Sequence, residues 1–125
     1  DLMPGDLIEI QRRGYQHWGL YMGDGYVIHV TAVDENALPL SASSVTILTR
    51  KAMVKKELLE KVAGDDDWIV NNKYDWCQIP FPMEEIIQRA ERWINRKVSY
   101  SLFHHNCEHF VTMLRYGEGV SRQVS

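Results

Sequence analysis

The sequence predicts an α+β domain in which an antiparallel sheet packs on helices. Three observations carry that expectation. The turn Gly23-Asp24-Gly25 separates two runs rich in aromatic and β-branched residues, the pattern of a tight hairpin whose central residues take positive φ. Strand-like runs fill the first half, and helical periodicity begins only near Met83. Strands and helices are therefore segregated along the chain, which favours an antiparallel sheet over a parallel one. With 125 residues, 45% of them hydrophobic and 25% charged, the chain is sized for one core and one domain, residues 1–125.

Taken in order, Pro4-Gly5-Asp6 marks a turn and Leu7–Gln11 a first strand, ended by Arg12-Arg13-Gly14. Tyr15–Met22 and Tyr26–Val30 form the hairpin. Residues 31–44 are small and polar and read as a loop, with a short strand at Val45–Leu48. Ala52–Leu59 reads as a strand running into a helical turn that ends near Gly64. The acidic turn Asp65-Asp66-Asp67 precedes a strand at Trp68–Asn71, and residues 71–82 form a loop. Met83–Arg96 has the clearest helical face, with Ile86, Ile87, Ala90, Trp93 and Ile94 together and Glu84 and Glu85 at the end the dipole favours. Val98–Leu102 is short and apolar. A last helix is expected to open at Asn106 as N-cap and to bury Phe110, Val111 and Leu114.

Composition excludes several functions. A net charge of −3 leaves no basic footprint for nucleic acid. Cys77 and Cys107 could form one disulfide, but two cysteines do not make a secreted scaffold, and a reducing compartment is the simpler reading. No apolar run reaches the roughly 18 residues that cross a bilayer. The chain starts without methionine and stops at Ser125 without a terminating element, which reads as a fragment.

Chemistry concentrates at Cys107. In the first turn of a helix, a thiol meets unpaired amides and the positive end of the dipole, which favour the thiolate. Counted outward from Asp24, His17 and His29 fall close to opposite one another on the hairpin, so that one imidazole can serve as base while the other orients it. Spacing alone leaves two blander readings open: a lone cysteine most often packs as a small hydrophobe, and strand histidines are usually surface or satisfied core residues. His104, His105 and His109 beside Cys107 suggest a metal cluster. However, zinc sites draw on two separated ligand pairs, and only one cluster exists here. No metal or cofactor is implied.

Asn106-Cys107-Glu108-His109-Phe110, followed by Leu114-Arg115-Tyr116-Gly117, resembles the signature of the lecithin:retinol acyltransferase family, in its H-Ras-like suppressor branch. Tyr15-Gln16-His17-Trp18, the run from Gly23 to His29, Val54-Lys55-Lys56-Glu57-Leu58-Leu59, Val70-Asn71-Asn72-Lys73 and Ile86-Ile87-Gln88-Arg89-Ala90 extend the likeness over nearly the whole chain. The resemblance implies a circularly permuted relative of the NlpC-type, papain-like cysteine peptidases. It puts the nucleophile at Cys107, the general base at His17, a third polar member at His29 and an oxyanion contributor at Tyr15. It also implies calcium-independent phospholipase A1/A2 and acyltransferase activity on glycerophospholipids. The acyl group would pass through a cysteine thioester to water, to a lysophospholipid or to the amine of phosphatidylethanolamine. Partners would be phosphatidylcholine and phosphatidylethanolamine surfaces, met by a monomer at the cytoplasmic face of membranes, with a C-terminal anchor beyond this chain. Arg12 or Arg13 is a candidate phosphate contact, and Trp18, Trp76 and Phe81 are candidate interfacial aromatics, with core packing an equal reading for Trp18. Cys77 matches no catalytic motif, and Gly19 stands where alanine is usual. Two rival functions remain: a cysteine peptidase or amidase, and a non-enzymatic interaction module.

Overall fold

The computed structural model describes residues 2–33, 51–98 and 103–117. They form strands β1 (Leu7–Arg12), β2 (Tyr15–Gly23), β3 (Tyr26–Val33), β4 (Lys51–Leu58), β5 (Trp68–Val70) and β6 (Lys97–Val98). The helices are α1 (Leu59–Ala63), α2 (Met83–Glu91) and α3 (Phe103–Tyr116). One sheet runs β5-β1-β2-β3-β4-β6, and its described pairings are all antiparallel. The expected α+β class is what is found. The short strand expected at Val45–Leu48, most of the 31–44 loop and Ser99–Leu102 lie outside the described residues.

Strand alternation divides the core in two. Trp18, Leu20, Ile28, Val30, Ala52 and Val54 point to one face and pack with Phe110, Val111 and Leu114 of α3 and with Ile86 and Ala90 of α2. Ile8, Ile10 and Val27 point to the other face and pack with Leu59 and Ala63 of α1. The β2–β3 turn uses Asp24 at φ 54° and Gly25 at φ 88°, the left-handed pair a two-residue hairpin needs.

Four expectations are corrected. β3 continues to Val33 because β4 pairs with it along its whole length. The helix expected to reach Arg96 ends at Glu91: Trp93 and Ile94 amides reach back only to Ala90 and Glu91. There the edge of β4 competes for the chain, with Asn95 donating to the Val54 carbonyl and Val54 donating to the Arg96 carbonyl. Helix α3 starts at Phe103, so Asn106 lies inside it and is not its N-cap. Nothing between Phe103 and Asn106 is a Gly or Pro, and each added residue gains a hydrogen bond once a helix is nucleated. Finally, His17 and His29, expected close to opposite, stand on a same-face diagonal: the one-residue register shift between Tyr21 and Gly23 sets His29 opposite Gly19, two residues from His17.

The far end of α3 is tied to the rest of the fold by Arg115. Its guanidinium donates to the Gly5 carbonyl at 2.9 Å and to both Asp75 oxygens at 3.2 and 2.8 Å. The Tyr116 hydroxyl donates to the same carboxylate at 2.6 Å. Asn72 ties the 71–82 loop to β1, accepting from the Leu7 amide and donating to Asp6.

Candidate active site

The site forms where the sheet opens. Pairing of β2 with β3 runs from Gly23↔Tyr26 to Gly19↔His29 and stops, while β2 stays paired with β1 as far as Tyr15. Helix α3 covers one face of the sheet at this gap and delivers Cys107, 3% exposed, into it. Trp18 lies just past the last β2–β3 pair, and its backbone amide donates to the Cys107 sulfur. By strand alternation, His17 and His29 belong to the opposite face. The thiol and the imidazoles thus approach the gap from opposite sides of the sheet.

The contacts form a line. Cys107 Sγ lies 3.5 Å from His17 Nδ1. His17 Nε2 lies 2.8 Å from His29 Nδ1, with the rings edge to face at 5.1 Å between centroids. His29 Nε2 lies 3.0 Å from Glu57 Oε1. Both imidazoles are 5% exposed. Each strand-to-strand link is a same-face diagonal step: His17 stands two residues from Gly19, the partner of His29, and Glu57 stands two residues from Lys55, its partner on β4.

Burial dominates the electrostatics. It pushes the Cys107 thiol up to about 11 against the opposing pull of the Trp18 amide. It holds His17 down at about 3, helped by the nearby His29 and the Arg12 guanidinium. His29 is also lowered by burial, although the Glu57 hydrogen bond and charge pull the other way. For Glu57, burial alone would raise the carboxyl, but the His29 hydrogen bond, with the charges of His29, Lys61 and Lys55, holds it below the usual range. The thiol activation expected from a first-turn position is therefore not what the fold provides. Cys107 sits beyond the first turn of α3, where the dipole has faded, and desolvation disfavours the thiolate.

The remaining residues singled out in the sequence fall as follows. Tyr15 starts β2 on the same face as His17 and is exposed. Arg12 caps α1, donating to the Val62 carbonyl at 2.8 Å and the Ala63 carbonyl at 3.4 Å, and pairs with Asp66 at 2.8 Å. A phosphate contact by Arg12 would compete with these bonds. His109 is exposed, and the side chains of His104 and His105 are outside the described set. Trp76 is 84% exposed, with Ile79 beside it at 91%. Phe81 instead packs against the core cluster, under the Arg89 guanidinium at 4.7 Å. Trp18 is buried. Cys77 is an exposed free thiol and Cys107 a buried one, so no disulfide joins them. A Cβ on Gly19 would meet the Ile28 carbonyl at 3.4 Å, an ordinary contact, so alanine fits there.

The member missed in the sequence is Glu57. Its signal was its parity with Lys55 on β4, legible only if β4 is known to pair with β3. The intervening stretch of residues 34–50 conceals that pairing.

The site brings together a buried cysteine on a helix and a histidine pair on an antiparallel sheet, the groups that thiol–imidazole chemistry requires. The chain belongs to the lecithin retinol acyltransferase family, whose family model matches residues 1–120. It is 54% identical over 123 residues to phospholipase A and acyltransferase 1 of Homo sapiens, covering 98% of this chain and 72% of that protein. Phospholipase A and acyltransferase 3 of Mus musculus is 55% identical over 121 residues, 97% of this chain and 75% of its own length. Phospholipase A and acyltransferase 4 of Homo sapiens is 49% identical over 121 residues, 97% and 74%.

Proposed function

We propose that this chain is a calcium-independent phospholipase A1/A2 and acyltransferase acting on glycerophospholipids through an acyl-cysteine intermediate. The observation that carries this reading is the 3.5 Å approach of Cys107 Sγ to His17 Nδ1, in a chain about half identical to named phospholipase A and acyltransferases.

Cys107 is the nucleophile and His17 the general base. The resting pair is neutral, thiol and imidazole, because both groups are buried. As the sulfur attacks an ester carbonyl, its proton passes to His17 Nδ1 and the Sγ–C bond forms. The Trp18 amide stabilises the charge gathering on sulfur. Backbone amides near Cys107, with Tyr15, are the candidate oxyanion donors, a type of contact that contributes about 10²–10³ in rate. His17 then protonates the departing lysophospholipid oxygen, and the acyl thioester awaits water, a lysophospholipid or the amine of phosphatidylethanolamine. His29 orients His17. An apolar cavity of about 140 Å³ borders α3 one turn past Cys107, lined by Val30, Trp93, Val98, His109, Phe110 and Met113. We assign it to part of an acyl chain.

The histidine hairpin precedes the cysteine helix, the order of a circularly permuted NlpC-type fold. We read residues 1–125 as one catalytic domain, working as a monomer on the cytoplasmic face of membranes. Trp76 and Ile79 are suited to the headgroup region. Among the described residues, no helix is long and apolar enough to cross a bilayer.

The test is incubation with mixed phosphatidylcholine and phosphatidylethanolamine vesicles, followed by mass spectrometry of the products. The wild type should release fatty acid and lysophospholipid, form N-acylated phosphatidylethanolamine and carry an acyl adduct on Cys107. Cys107→Ala should abolish all of these with its fold intact, and His17→Ala should lose about 10²–10⁴ in rate. His29→Asn should keep partial activity, since an amide oxygen still accepts from His17. Lipid turnover by Cys107→Ala would refute the nucleophile, and peptide turnover without lipid turnover would move the chain to the amidase class.

A further inference from the structure

We propose that Glu57 is a positioning residue for this site: its carboxylate sets the direction of the hydrogen-bond chain that runs through His29 and His17 to Cys107. The proposal rests on reading Cys107 as nucleophile and His17 as base.

The argument is one of donors and acceptors. An ionised carboxylate can only accept, so the hydrogen between Glu57 Oε1 and His29 Nε2, 3.0 Å apart, belongs to the ring nitrogen. Neutral imidazole carries one ring hydrogen. His29 Nδ1 is therefore bare and must accept from His17 Nε2 at 2.8 Å. His17 has then used its one hydrogen, which leaves Nδ1 bare and facing the Cys107 thiol at 3.5 Å. Each step follows from the one before, and the only group whose role is fixed at the outset is Glu57.

Without that carboxylate the chain can reverse. His29 could carry its hydrogen on Nδ1 and donate to His17 Nε2. His17 would then hold its own hydrogen on Nδ1, and the thiol would face an N–H where it needs a lone pair. In the forward direction the reaction balances without moving a proton beyond His17. The thiol proton goes to His17 Nδ1 as the Sγ–C bond forms, and it leaves with the alkoxide as the ester C–O bond breaks. His29 keeps its Nε2 hydrogen and Glu57 stays ionised throughout, and the carboxylate faces the imidazolium across one ring. Lys61 Nζ, 3.8 Å from Glu57 Oε2, favours the ionised form.

Loss of the orienting carboxylate that touches the base directly lowers kcat about 10⁴-fold in a Ser-His-Asp triad. Here one imidazole intervenes, and the effect expected for Glu57→Gln and Glu57→Ala is a roughly 10–100-fold fall in kcat, with KM within about two-fold. The decisive readout is long-range ¹H–¹⁵N NMR of histidine-labelled protein, which reports each ring's tautomer. Wild type should show His17 and His29 both as the Nε2–H form. Both Glu57 variants should lose the single tautomer at His29, and the near-isosteric Glu57→Gln serves if Glu57→Ala fails to fold. Unchanged tautomers overturn the proposal even if kcat falls, because the loss would then have another origin. Changed tautomers with wild-type kcat overturn it too. Activity surviving in His17→Ala would instead mark failure of the underlying assignment, whatever Glu57 does.

Discussion

A thiol pushed up to about 11 and an imidazole held near 3 do not rest as an ion pair at neutral pH. The proton stays on sulfur, and only about one molecule in ten thousand is thiolate at pH 7. Iodoacetamide alkylation of Cys107 should therefore rise about tenfold per pH unit from 7 to 10 and level off near 11, followed by mass spectrometry of its peptide so that exposed Cys77 is counted separately. A rate already flat from pH 5 upward would mean a resting thiolate–imidazolium pair and would refute the neutral ground state. At this scale the sequence was informative about identity and poor about environment. Cys107, His17 and His29 were legible because residue type, hairpin spacing and a family signature agreed. The thiol's ionisation depends on burial, which residue type and position do not show. The cover over the sulfur is a tertiary fact. A glutamate on a strand followed by leucines, as Glu57 is, carries no mark of its partner.

Elements hold these residues in place, and α3 is fixed at the end opposite Cys107. Arg115 is buried and joins three segments: the Gly5 turn, the loop at Asp75 and its own helix, whose Arg115 carbonyl accepts from the Phe81 amide. Arg115→Met keeps the aliphatic packing but strands the Gly5 carbonyl and releases Asp75. It should destabilise the protein by about 2–4 kcal/mol, read as a lower urea midpoint at unchanged m-value. The folded fraction should keep wild-type kcat, because Arg115 lies more than two turns along α3 from the thiol. A midpoint within error of wild type would show that these bonds contribute nothing net. Elements were legible where local signals governed. Gly23-Asp24-Gly25 marked the hairpin, and Gly64 marked the end of α1. They were misread where tertiary pairing took over. Residues 92–96 carry a helical face, yet the edge of β4 draws the chain out of the helix at Asn95, which adopts φ 68°. The bulge near Tyr21 shifts the register by one residue and sets His29 opposite Gly19, on the face of His17, a shift that alternation alone could not reveal.

Across the whole molecule, the site imposes a pH window on stability. His17 and His29 are buried neutral, with pKa values held below the ordinary 6.5. Above pH 6.5 they are neutral in both folded and unfolded chains and add no pH dependence. Below it the unfolded chain binds protons that the folded chain refuses, so stability falls as pH drops. Glu57 and Asp75, both held below their usual values, extend the loss at lower pH in the same direction. At the alkaline end Cys107 is raised from 9.0 to about 11 and Tyr116 from 10.0 to about 12. The unfolded chain then loses protons first, and stability falls as pH rises above about 9. Thermal unfolding should show a plateau of Tm between about pH 6.5 and 9, with a decline on each side. At pH 5 the lag in protonation of His17 alone amounts to about 2 kcal/mol. His17→Leu, which removes the titrating group, should flatten the acid limb between pH 6.5 and 5 although it starts from a different Tm. A wild-type Tm that stays level down to pH 5 would show that the two imidazoles take up protons in the folded state. The buried, directed chain from Cys107 to Glu57 would then have to be redrawn.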